Sequence, residues 1–99
     1  MVALTSACTP DHARLDAVAS SCDAIVEAGT CVDSAALDRP CDARRRRVTP
    51  CTRDFRFATC STGTLDRHYY AAGRSLWNAT NARRDCSELG GTFRTEPGQ

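Results

Sequence analysis

Lysine is absent from this 99-residue chain, whose thirteen basic residues are all arginine. Beside fifteen alanines, that bias reads as GC-rich coding rather than as selection for guanidinium chemistry. Large apolar residues are scarce as well. Val, Ile, Leu and Phe together number fifteen, so the 41% hydrophobic share rests largely on Ala and Cys. So thin a core would leave a highly charged chain disordered, but the formal net charge is only +1. It also leaves little apolar material to enclose a catalytic pocket, so no enzymatic turnover is expected. No run is long and apolar enough to span a membrane, and the opening MVALTSA lacks the basic start and apolar stretch of a signal peptide. Nor is there a C-x-x-C pair. No two cysteines are closer than eight intervening residues, which removes both the knuckle of a structural zinc site and the redox motif of a thioredoxin-like enzyme. His12 and His68 therefore read as a surface and a strand residue, and neither metal nor cofactor is expected. Ser61, Asp66 and His68 lie close in sequence, but no nucleophile motif frames them as a triad.

What the chain does have is cysteine. Five of its seven (Cys22, Cys31, Cys41, Cys51, Cys60) follow one another with eight or nine residues between. Such density in a short chain implies cross-links and an oxidising compartment, extracellular, periplasmic or at the cell surface. Three disulfides are expected among Cys22, Cys31, Cys41, Cys51, Cys60 and Cys86. That leaves Cys8, nearest a terminus, as the free, lipidated or intermolecular thiol. Cys60 and Cys86 should pair, because little else would pin the segment between them to the body. Each bridge contributes roughly 3 kcal/mol in the chain-entropy model, a large part of a small domain's stability of about 5–15 kcal/mol.

Along the chain, Thr9 and Pro10 can open a helix on which Leu15, Val18, Cys22, Ile25 and Val26 recur at helical spacing until Gly29, with Asp16, Asp23 and Glu27 on the other face. A repeat follows, CVDSAALDRPC and then CDARRRRVTPC, each with a proline before its second cysteine. The first unit suits a one-turn helix over residues 33–39 and the second an exposed loop or extended segment. Phe55 and Phe57 alternate with Arg56 and Ala58 into a short strand through Cys60, and His68, Tyr69 and Tyr70 suit another. A second helix, capped by Ser75 or Asn78, carries Ala79, Ala82, Cys86 and Leu89 on one stripe and stops at Gly90. The resulting expectation is a small disulfide-rich fold, mixed α+β but mainly helical, with two main helices over residues 10–28 and 76–89 and short strands. It forms one domain over residues 1–99, with flexible ends at 1–8 and 95–99.

Several segments resemble known families. Leu4-Thr5-Ser6-Ala7-Cys8 resembles the end of a bacterial lipoprotein signal, which would lipidate Cys8. NARRDCSELGG resembles the helix of C-type lectin domains. Tyr69, Tyr70, Ala82, Cys86, Gly90, Gly91, Thr92 and Phe93 together resemble the tail of small cysteine-rich secreted bacterial proteins, which implies export and a disulfide. The nine-residue cysteine spacing is similar to that of twin-CX9C proteins of the mitochondrial intermembrane space, although Pro40 and Pro50 interrupt the helices which that family needs.

Charge is segregated: residues 1–38 sum to −5, residues 39–56 to +5 and the remainder to +1. Arg44, Arg45, Arg46 and Arg47 read first as a solvated loop paired with the acidic segment, then as a contact for an anionic surface or a dibasic processing site. Nucleic acid fits poorly, because no aromatics interleave the arginines to stack on bases. Asn78-Ala79-Thr80 matches a glycosylation acceptor without further support. The functional expectation is an exported, non-catalytic structural or binding module of unknown protein or anionic partner, with Tyr69, Tyr70 and Trp77 as contact residues. Its alternatives are a CX9C-like accessory protein, or a metal-binding or enzymatic domain.

Overall fold

The computed structural model describes residues 11–36 and 40–96, so Cys8 and the expected helix opening at Thr9 and Pro10 lie outside the described residues. Six strands dominate: β1 (Ser20–Ala24), β2 (Thr30–Ser34), β3 (Arg46–Arg47), β4 (Arg56–Ser61), β5 (Leu65–Tyr70) and β6 (Thr92–Thr95). They form one sheet in the order β3-β1-β2-β5-β4-β6, with every pairing antiparallel. Among the described residues, helix is confined to α1 (Ile25–Ala28), α2 (Ala79–Glu88) and a short 3-10 turn at Ala43–Arg45. The mainly helical expectation is therefore corrected: strand exceeds helix.

The helix expected over residues 10–28 fails because its backbone donors are taken elsewhere. An α-helix sends each N–H to the carbonyl four residues back. Here His12 N donates to Thr92 Oγ1 at 2.9 Å, Leu15 N to Asp66 Oδ2 at 3.2 Å and Ala19 N to Ser34 O at 2.8 Å. Ser20 to Ala24 then pair residue for residue with β2. Only the single turn α1 remains, closed by Gly29, whose φ of 70° is a left-handed value that glycine adopts without strain. Glycine is needed there for space as well, since a Cβ would lie 2.4 Å from Ser75 Cβ. The one-turn helix expected over residues 33–39 is likewise displaced at its start, because Asp33 and Ser34 belong to β2.

α2 is the expected second helix, beginning a little later. Asn78 caps it by accepting from Asn81 N at 2.9 Å, while Asn81 Oδ1 accepts from Asn78 N at 2.7 Å, a reciprocal capping box. Its buried residues, Ala82 and Cys86, pack on Ala58, Cys60 and Tyr69 of the sheet, with Phe57, Trp77 and Phe93 around them. Thr95 still lies in β6, and Glu96 N bonds Phe57 O, so the chain remains held to that point.

Three disulfides brace the domain: Cys22–Cys41, Cys31–Cys51 and Cys60–Cys86, with Cα separations of 5.8, 6.0 and 5.4 Å. The last joins β4 to α2, the pairing expected to fix that helix.

Candidate functional site

Side chains alternate across a strand, so the register decides what shares a face. On β5, Tyr69 turns toward α2 while Asp66 and His68 turn the other way. Their partners in the ladder are Asp33 and Cys31 on β2 and Ser61 and Thr59 on β4. This second face is polar yet buried, with Asp33 at 5%, Thr59 at 0% and His68 at 2% exposure. Residues 11–19 cover it at one end, through the backbone bonds described above. The segment around Cys51 covers it at the other, where Ser21 Oγ donates to Thr49 O and Tyr70 Oη to Thr52 O.

His68 is the hub of that face. Its Nε2 lies 2.9 Å from Asp33 Oδ2, and its Nδ1 lies 2.7 Å from Thr59 Oγ1. Asp33 is itself oriented, since its Oδ1 accepts from Cys51 N at 2.9 Å. Thr59 Oγ1 donates to Glu96 Oε1 at 3.1 Å, and Glu96 forms ion pairs at 2.9 Å with both Arg14 and Arg56. Burial disfavours the Glu96 charge, but Arg56 and then Arg14 outweigh it and hold the carboxyl below its usual range.

Thr59 has one hydroxyl proton. Given to ionised Glu96, it obliges the Thr59 oxygen to accept from His68, so Nδ1 carries the ring proton and Nε2 turns its lone pair toward Asp33. With the proton of Thr59 given to Nδ1 instead, Nε2–H donates to Asp33 Oδ2 at 2.9 Å. Arg56 Nη1, at 3.4 Å from Nδ1, is the weaker contact to that nitrogen.

Asp33, Cys51 and His68 bring one carboxylate oxygen, one sulfur and one imidazole nitrogen within 4.8 Å of one another, all buried. No cysteine spacing in the sequence announces this grouping. As it stands, however, Cys51 Sγ is bonded to Cys31, and only a thiolate is a strong metal ligand. The disulfide therefore leaves Asp33 and His68 as the available ligands. The hydroxyl–imidazole–carboxylate order of Thr59, His68 and Asp33 has the elements of a nucleophilic triad, but a fully buried threonine offers no approach to substrate. The hollow of about 230 Å³ beside Cys22–Cys41, lined by Val32, Leu65, Arg67 and Leu89, belongs to the opposite face.

The other sequence candidates fall apart in space. Tyr69 and Tyr70, expected as contact residues, are instead core residues at 0% exposure. Their hydroxyls bond Asp85 Oδ2 at 2.6 Å and Thr52 O at 2.7 Å. Both phenols titrate well above their ordinary range, Tyr69 through burial and then the Asp85 hydrogen bond, Tyr70 through burial. Trp77 is half-buried, edge-on to Tyr69 with ring centroids 5.1 Å apart, and its Nε1 donates to Ala28 O. Of the basic run, Arg45 pairs with Glu27 at 2.7 Å, joining the acidic segment to the basic one. Arg44 pairs with Asp42 at 3.2 Å, Arg47 donates to the Arg44 and Arg46 carbonyls, and Arg46 lies in β3. Asp66, the sequence neighbour of His68, accepts from Leu15 N, and the partner of His68 is Asp33, 35 residues away in sequence.

Among the described residues, no helix is long and apolar enough to cross a membrane. In comparisons with known proteins, the chain matches no family model, no curated protein and no solved structure.

Proposed function

We propose that this domain is a metal-binding module in which Asp33, Cys51 and His68 hold a soft divalent cation when Cys51 is a free thiol. The observation that carries the reading is their convergence within 4.8 Å in a buried site. Tetrahedral zinc, with bonds of about 2.0–2.3 Å, sets its ligand atoms about 3.3–3.8 Å apart, so ligand atoms that now lie within 4.8 Å of one another, with His68 Nε2 and Asp33 Oδ2 at 2.9 Å, need only small shifts, that pair outward, to complete the geometry. The surroundings fit as well. Metal-bound histidines usually donate their other ring N–H to an acceptor that fixes the ring, and the Thr59–Glu96 relay provides one. Cys31→Ser frees Cys51 while leaving the other two bridges in place. The variant is expected to take up one equivalent of Zn²⁺, and adding His68→Ala should abolish uptake. Should the variant be unfolded without metal, zinc-induced folding followed by circular dichroism gives the same answer, because metal binding then drives folding. No uptake, or uptake indifferent to His68→Ala, overturns the reading.

A second reading is favoured by the bridges themselves, which pair all six described cysteines. On it, the domain works oxidised outside the cytosol as a non-catalytic binding module. Arg44, at 87% side-chain exposure, and half-buried Trp77 would then be its contact residues. Heparin or anionic-vesicle retention that is lost when residues 44–47 are replaced by Ala, and lost again at about 1 M salt, supports this reading; retention surviving both excludes the arginines.

A further inference from the structure

Resting on that metal reading, we infer that Cys31 is the fourth ligand, so that the same two sulfurs serve either as a cross-link or as a metal clamp. Cys31 stands directly opposite His68 in the β2–β5 ladder, on the same face, and is 1% exposed. Its sulfur is bonded to Cys51 Sγ and therefore adjoins the cluster that Cys51 completes. Zn–S bonds of about 2.3 Å at a tetrahedral angle hold two sulfurs about 3.8 Å apart. Cysteines with Cα atoms 6.0 Å apart reach that separation by side-chain rotation once the S–S bond is gone.

The four ligands would then be two thiolates, one imidazole and one carboxylate. Sulfur selects zinc or another soft cation over magnesium and calcium, which prefer all-oxygen sites. Two thiolates and a carboxylate around a dication leave a net negative charge, and buried Arg56, within 3.4 Å of His68, is placed to offset it. Four protein ligands in a closed pocket leave no open position for substrate, so the centre is structural or regulatory rather than catalytic.

The chemistry balances with a dithiol as reductant. The Cys31–Cys51 S–S bond accepts two electrons and two protons, the dithiol becomes a disulfide, and zinc then displaces both thiol protons. Reoxidation by a disulfide of the same class reforms the bridge and expels the metal. Cross-link and metal are therefore mutually exclusive states.

Alkylation mapping tests this on the full chain. The protein is reduced with a dithiol in the presence of Zn²⁺ and treated with iodoacetamide, its cysteines are mapped by peptide mass, and the oxidised protein serves as a control. Protection of both Cys31 and Cys51, with Cys22, Cys41, Cys60 and Cys86 modified and no zinc on the oxidised chain, is the expected result. Protection of Cys51 alone overturns the role of Cys31 while leaving the three-residue reading intact. Modification of Cys51, or protection of a different pair, overturns both. Zinc retained by the oxidised chain overturns the exclusivity of cross-link and metal. As a second measure, reduced wild type should bind zinc more tightly than Cys31→Ser by more than the roughly 100-fold that loss of an outer-sphere partner costs. Equal affinity overturns the inference.

Discussion

His68 is fixed by groups that lie far from it in sequence, and each of them can be removed singly. Thr59→Val keeps the shape of the side chain but deletes its hydroxyl, leaving His68 Nδ1 and a Glu96 oxygen without their mutual link. The expected loss is about 1–3 kcal/mol, the cost of stranding a buried polar group, read as a lower midpoint in urea unfolding. The tyrosines allow an equally clean measurement, because the chain has only two and both are buried. Phenols raised above the ordinary value of about 10 keep their protons in the folded state. Their contribution to stability is whole below pH 10 and is lost as pH rises through the higher folded values. Tyrosinate absorbance should therefore stay flat through pH 10–11 and rise only with loss of the circular dichroism signal; ionisation of a native tyrosine near pH 10 would contradict the burial.

At the scale of elements, α2 and its supports invite substitution. Asn78→Ala removes the capping box and should cost about 1 kcal/mol. Gly91→Ala should cost more, since the added Cβ would lie 2.4 Å from Cys60 Sγ and 2.9 Å from the Ser61 carbonyl, neither of which can move without disturbing the bridge or the sheet. A thermal scan in which Gly91→Ala is milder than Asn78→Ala would show that this packing is loose. α2 was legible in the sequence because its signals are local: an Asn cap, an Ala and Cys stripe and a Gly stop. The N-terminal segment was misread for the opposite reason. Leu15, Val18, Cys22 and Ile25 satisfy a helical period, yet their fate is decided by Asp66, Thr92 and Ser34, acceptors that only the folded sheet brings near. The candidate site was hidden in the same way. Cys51 and His68 follow Asp33 by 18 and 35 residues, and no local spacing rule joins a strand, a loop and a second strand.

For the whole molecule, Glu96 ties acid stability to its ion pairs with Arg14 and Arg56. A carboxyl depressed in the folded state stabilises fully above the unfolded value of about 4.3 and loses that contribution as pH falls through its lower folded value. Glu96→Gln should therefore flatten the fall in melting temperature below pH 4; an unchanged acid limb would mean that other carboxylates set it. The three bridges carry a further consequence through their order along the chain. Two of them close loops lying wholly between residues 22 and 51, and the third closes one between residues 60 and 86. Among the described residues, no covalent link other than the backbone crosses from the first group to the second. The halves meet at the β2–β5 ladder, where the Asp33 carboxylate reaches diagonally to the His68 ring, and the backbone joining them passes through exposed residues 52–55. A single tryptic cut after Arg53 would turn the domain into two separately knotted pieces that stay associated while folded and part in denaturant without any reductant.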